Sequence, residues 1–137
     1  MKMPAQIQHI DAIARQKKRD VLFLTFPEAE GRGRRPYEEV RCRNEITDWL
    51  DENAIAWTEC GPVASENVMQ PYYGEIYIDV PYDTGNSVYL AVQAFLEHPD
   101  GSMCFDGAKF WVVSLDFAMK NSHHDEPGFW ERWAENF

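Results

Sequence analysis

The order of segments across residues 21–115 limits this chain more than any other feature. Hydrophobic periodicity and turn signals read there as strand, helix, strand, strand, helix, strand. Two helices set among four strands in that way predict a single α+β domain spanning residues 1–137. One antiparallel sheet would be covered by both helices on one face, because each amphipathic element must bury its apolar side against another.

The individual segments carry the prediction. Residues 21–26 (VLFLTF) form a short apolar run ended by Pro27, the pattern of a buried central strand. Pro36, with Glu38 and Glu39 close behind it, suits the first turn of a helix running to about Glu52, where Asn53 is a natural stop. That helix turns Cys42, Ile46, Trp49 and Leu50 inward and Arg41, Arg43, Glu45 and Asp48 largely outward. Residues 54–60 read as a second strand stopped by Gly61-Pro62. From Gly74 onward Ile76, Ile78 and Val80 alternate with Glu75, Tyr77 and Asp79, as in a sheet wet on one side. Asp83, Thr84 or Ser87 would cap the next helix, whose inner stripe is Val88, Ala91, Val92, Phe95 and Leu96. A short strand at 103–105 and a fourth core strand at 109–115 complete the set. Amphipathic helices are expected at 6–18 and 129–136. Phe23, Ile46, Trp49, Ile78, Phe95 and Val112 are the expected core.

This order resembles the ferredoxin-like βαββαβ arrangement: a four-stranded antiparallel sheet with two helices on one face, here with extra N- and C-terminal helices. The resemblance implies no single activity, because that fold hosts enzymes, ligand sensors and nucleic-acid binders alike.

Composition narrows the class. A chain of 137 residues buries roughly two-thirds of its unfolded surface. Its 45% hydrophobic and 14% aromatic content exclude disorder. The first twenty residues hold no apolar signal-peptide core and no run is long enough to cross a bilayer, so a soluble, cytoplasmic protein is expected. Cys42, Cys60 and Cys104 are an odd number at wide spacings, neither a disulfide framework nor a zinc knuckle.

The net charge of −10 is unevenly spread. Residues 1–43 hold ten basic and six acidic groups, a balance of +4, against three basic and seventeen acidic in residues 44–137, a balance of −14. The acidic whole argues against nucleic acid as a partner, while the first third can attract a small anion.

Four constellations could carry chemistry. His123-His124-Asp125-Glu126 gathers imidazoles and carboxylates, yet neighbouring residues point apart and no third ligand is evident. No metal and no cofactor are therefore expected there, and Asp125 or Glu126 would serve as a helix cap. Glu75, Tyr77 and Asp79 share one sheet face, where a histidine general base, His123 or His124, would make a small enzyme. Arg32, Arg34 and Arg35 sit among glycines ahead of a helix start and would hold an anion with forked donors and free amides. Phe129, Trp130, Trp133 and Phe137 form an aromatic stripe too apolar for water. It docks on its own domain, on a second copy as a homodimer, or on another protein. No spacing demands catalysis, so the leading expectation is a small acidic binding or interaction protein without it. The alternatives are the histidine enzyme and an anion-binding regulator.

Overall fold

β1 (Val21–Thr25) lies inside the sheet, with a strand on each side. In the computed structural model, which describes residues 8–29, 36–62 and 72–125, it pairs antiparallel with β3 (Ile76–Ile78) and with β4 (Lys109–Val113). β2 (Trp57–Glu59) pairs antiparallel with β3, giving the order β2-β3-β1-β4. Leu22 stands opposite Ile78 and Val112, and Leu24 opposite Ile76 and Phe110. Directly opposed residues share a face, so these apolar side chains form one wall while Val21, Phe23 and Tyr77 face the other way. The apolar run of β1 is thus buried on both sides, as its sequence implies.

α2 (Arg41–Glu52) and α3 (Ser87–Leu96) close the first wall. Ile46, Leu50, Tyr89, Val92 and Leu96 join Leu22, Leu24, Phe26, Ile76 and Ile78 in one core. Burial of each such large side chain contributes about 1.5–3 kcal/mol. The second wall is covered in part by α1 (Ile10–Lys17) and α4 (Leu115–Met119), which bring Ile10, Ile13, Ala14 and Ala118 against Val21, Phe23, Tyr77 and Val113. The described part of the chain is a mixed α+β structure with one four-stranded antiparallel sheet and four helices, none long and apolar enough to cross a membrane.

Local chemistry sets the ends of these elements. Asn86, rather than Asp83, Thr84 or Ser87, caps α3, its side chain accepting from the amides of Val88 and Tyr89 at 2.9 and 3.0 Å. Asn53 stops α2 as expected, donating its side-chain amide to Trp49 O at 2.8 Å. Ala54 then turns the chain at φ 55°, which delays β2 to Trp57. Pro36 opens a 3-10 turn, Tyr37–Glu39, and extended backbone at Val40 separates that turn from α2. The segment at 103–105 contributes only a bridge between Met103 and Glu97. α4 was not anticipated; its five residues are too few to show a period, and Ser114 caps it by accepting from Phe117 N–H.

Several placements differ from expectation. Trp49 and Phe95, expected in the core, are half-buried at its rim, where they stack on each other between α2 and α3. Val112 faces the α2/α3 side by register but is 42% exposed, because β4 is the outer strand and the core reaches only its neighbour Phe110. α3 is rotated so that Tyr89, Val92 and Leu96 point inward while Val88 and Leu90 face solvent. Its sequence is apolar on nearly every side, so periodicity cannot choose a face. Arg43 is buried rather than solvated, because Gly74 O and the Tyr72 hydroxyl accept from its guanidinium.

Candidate functional site

The face of β3 expected to be wet is closed. Tyr77 is 3% and Glu75 2% exposed. Tyr77 lies in the core built by α1 and α4, and its hydroxyl donates to Asp79 Oδ1 at 2.7 Å. Arg19, just past the end of α1, donates from Nη2 to the same carboxylate oxygen at 2.7 Å and to the Tyr77 hydroxyl at 3.2 Å. Lys17 adds a longer contact to Asp79 at 3.5 Å, and Arg19 Nε is buried there without a hydrogen-bond partner. Burial first, and then the Asp79 carboxylate, push the Tyr77 phenol up to about 12. Burial alone would raise Asp79, but the Tyr77 hydroxyl, Lys17 and Arg19 outweigh it and hold the carboxyl below its usual range. The cluster therefore keeps a neutral phenol and an ionised carboxylate, and it straps the end of α1 to the sheet.

Glu75 sits apart from that strap. Its Oε1 accepts from Tyr73 N–H at 2.9 Å, and it lies close enough to Cys60 to act on its thiol. Burial and the Glu75 charge drive the Cys60 thiol far up, so it stays protonated and inert. His123 is half-buried on a 3-10 turn, Ser122–Asp125, that packs against α1, the helix covering Tyr77. His124 belongs to the same turn. The arginine loop (Arg32, Arg34, Arg35) and the aromatic stripe (Phe129, Trp130, Trp133, Phe137) lie outside the described residues. No group of three or more His, Cys, Asp or Glu residues that could hold a metal occurs among the described residues.

Two arrangements escaped the sequence reading. The first surrounds Arg43, whose Nε donates to Gly74 O at 2.8 Å and whose Nη2 donates to the Tyr72 hydroxyl at 3.3 Å. The guanidinium lies 4.8 Å from the Tyr37 ring centre, and Tyr37 meets Tyr72 edge to face. The Tyr72 hydroxyl in turn donates to Glu75 O at 2.7 Å. This knot ties α2 to the entrance of β3. Its partners lie 29 and 31 residues away, so helical spacing could not reveal it. The second pairs His98 with Cys104 beside an open cavity under the end of α3.

The outer edge of β4 is the remaining feature. Trp111 is 47% exposed on the face opposite Val112, and Phe117 and Met119 stand exposed on the short helix that follows. Trp111 Nε1 is held by Thr25, donating to Oγ1 at 2.9 Å, which fixes the indole across the sheet. Lys109 is the strand's one charge. Such an edge offers unpaired backbone groups, and soluble proteins usually guard it with charge, proline or a bulge. This edge carries apolar side chains on both faces. The chain matches no protein-family model, no curated protein and no solved structure significantly.

Proposed function

We propose that this chain is a small acidic interaction protein without catalysis, a single cytoplasmic domain that self-associates through the outer edge of β4. One observation carries the reading: β4 ends the sheet with Trp111 and Val112 exposed on its two faces and Phe117 and Met119 exposed beside it. A second copy is the occupant that matches this edge. Antiparallel pairing of β4 with its own symmetry mate is self-complementary, satisfies the free backbone groups of both strands and extends the sheet to eight strands. Centred on Trp111, it would set Lys109 of each copy beside Val113 of the other, toward the helix whose first turn holds Asp116, so the local charges would meet in opposite sign. The aromatic stripe at 129–137 keeps its proposed role as an additional contact to a second copy or another protein.

We also infer a ferredoxin-like arrangement for the body. The all-antiparallel pairing, β4-β1-β3-β2 when the sheet is read from its other edge, and the packing of α2 and α3 on one wall support it. A cytoplasmic location agrees with Cys60 and Cys104, neither of which forms a disulfide. The burial of Glu75 and Tyr77 weighs against an enzyme working over that face.

Sedimentation velocity on the full chain tests the assembly. A dimer is expected in the micromolar range, with Trp111→Lys and Val112→Lys both monomeric and unchanged from the parent in far-UV circular dichroism. Two copies at −10 repel one another. Raising salt from roughly 0.01 M to 0.15 M, which shortens the screening length from about 30 Å to about 8 Å, should therefore tighten the dimer. A parent chain that stays monomeric at high micromolar concentration in 0.15 M salt overturns the reading.

A further inference from the structure

The backbone brings His98 and Cys104 side by side. α3 ends at Leu96, and the chain then doubles back. His98 N–H donates to Ser102 O at 2.7 Å, Cys104 N–H donates to Leu96 O at 2.8 Å, and Glu97 bridges Met103. Asp100 closes the tip by accepting from the amide and the hydroxyl of Ser102 at 2.9 and 2.6 Å. Gly101, at φ 88°, makes the turn and donates to His98 O at 2.9 Å. Within this frame the Cys104 Sγ lies 3.7 Å from His98 Nδ1, and the thiol is exposed.

The same histidine forms part of the wall of an open cavity of about 370 Å³. Leu90, Ala94 and Pro99 give that cavity an apolar lining, while Gln93 and Glu97 add an amide and a carboxylate. His98 is thus shared between the contact with the Cys104 sulfur, which is not itself part of the lining, and the wall of a space large enough for a small organic group. The other two cysteines lack this setting, since Cys60 is fully buried and Cys42 half-buried against the core.

We propose that Cys104 is a thiol–disulfide exchange site, which takes up one half of a small, positively charged aliphatic disulfide whose organic arm rests in the His98 cavity. His98 accepts the proton from Sγ, and the thiolate attacks one sulfur of the disulfide. The Cys104–sulfur bond forms as the disulfide's own S–S bond breaks. The leaving thiolate then takes the proton from the imidazolium and departs as a thiol. Cys104 is oxidised, the released half is reduced, and the disulfide is the only oxidant required. Positive charge is favoured because Glu97 lines the cavity and residues 44–137 carry a balance of −14.

The test uses the folded full chain with two probes of opposite charge, each carrying two methylenes per arm: cystamine and 3,3′-dithiodipropionate. Occupancy of each cysteine is read by peptide mass spectrometry, and each rate is normalised to that of an unstructured cysteine peptide. Cys104 should react first and Cys60 last, with cystamine favoured over the dianion by roughly tenfold or more after normalisation. His98→Gln should slow the cystamine reaction at pH 7 by roughly tenfold, with the two rates converging at high pH. Ala94→Trp, which fills the cavity, should slow cystamine but leave alkylation by iodoacetamide unchanged. Circular dichroism of both variants should match the parent. Normalised rates at Cys104 equal to those of the peptide for both probes, or an unchanged pH–rate profile in His98→Gln, overturn the proposal.

Discussion

The rings of Trp49 and Phe95 lie 4.1 Å apart with only 3° between their planes, stacking α2 directly on α3. Phe95 also leans on Phe105 at 5.3 Å, so one ring joins both helices to the loop leading into β4. Both residues of the stack are only half-buried, at the rim of the main core. Phe95→Ala should therefore fall toward the low end of the usual ~3–5 kcal/mol for deleting a large aromatic. Phe95→Leu should retain most of the packing and lose about 0.5–1.5 kcal/mol of ring–ring interaction. Urea unfolding of the two variants checks this; equal losses would mean that stacking adds nothing.

Asp11 and Arg15 form a buried ion pair at 2.8 Å, and Arg15 also donates to Ala118 O at 2.9 Å, binding α1 to α4. Asn121 donates to the same Asp11 oxygen at 3.3 Å. Removing one buried charge strands the other, so Asp11→Ala should cost about 3–5 kcal/mol. The double variant Asp11→Leu, Arg15→Met should be clearly more stable than Asp11→Ala, because no charge is left in the interface. A double-mutant cycle by chemical denaturation measures the difference, and equal stabilities would contradict it.

The strap at Tyr77 predicts a particular pH response. Because folding favours the neutral phenol, its contribution is complete below about pH 10 and is lost as the pH climbs through about 12. Asp79 acts in the opposite sense. Its lowered value contributes stability above the ordinary carboxylate range, which is lost as pH falls through and below about pH 4. Melting temperature against pH should show both flanks. Tyr77→Phe should flatten the alkaline one, and Asp79→Asn should flatten the acid one.

Gly74 should resist any side chain. Its φ of 92° disfavours L residues, and a Cβ there would collide with Cβ of Tyr37 and crowd Arg43 Nε. The backbone term alone is about 1–2 kcal/mol. Gly74→Ala should exceed that, since the Arg43 bond to Gly74 O is disturbed as well. Thermal unfolding followed by circular dichroism provides the measurement.

Little of the candidate chemistry was legible in advance. Periodicity marked Glu75, Tyr77 and Asp79 as one face, but it could not tell that α1 and α4 cover it, because an alternating pattern reports two faces and not what lies over either. Polar residues accept such burial when partners are supplied, and Arg19 supplies them from another element. The His98–Cys104 pair was invisible because its geometry comes from a six-residue backbone reversal rather than from residue spacing.

What the sequence determined by itself was the order and type of the main elements. Short-range physics suffices for that: β1 is an unbroken apolar run, Asn53 and Pro27 punctuate, and Ile76 and Ile78 alternate with polar neighbours. The tertiary structure decided which faces were buried. α3 is apolar on nearly every side, so only packing selected Tyr89, Val92 and Leu96 and left Val88 and Leu90 outside. Val112 is apolar and faces the core side of the sheet, yet its position on the outer strand leaves it uncovered. Arg43 looks like a solvated helix residue until Gly74, Tyr72 and Tyr37 surround it. Burial depends on contacts between residues far apart in the chain, and hydrophobic spacing along one segment carries no information about them.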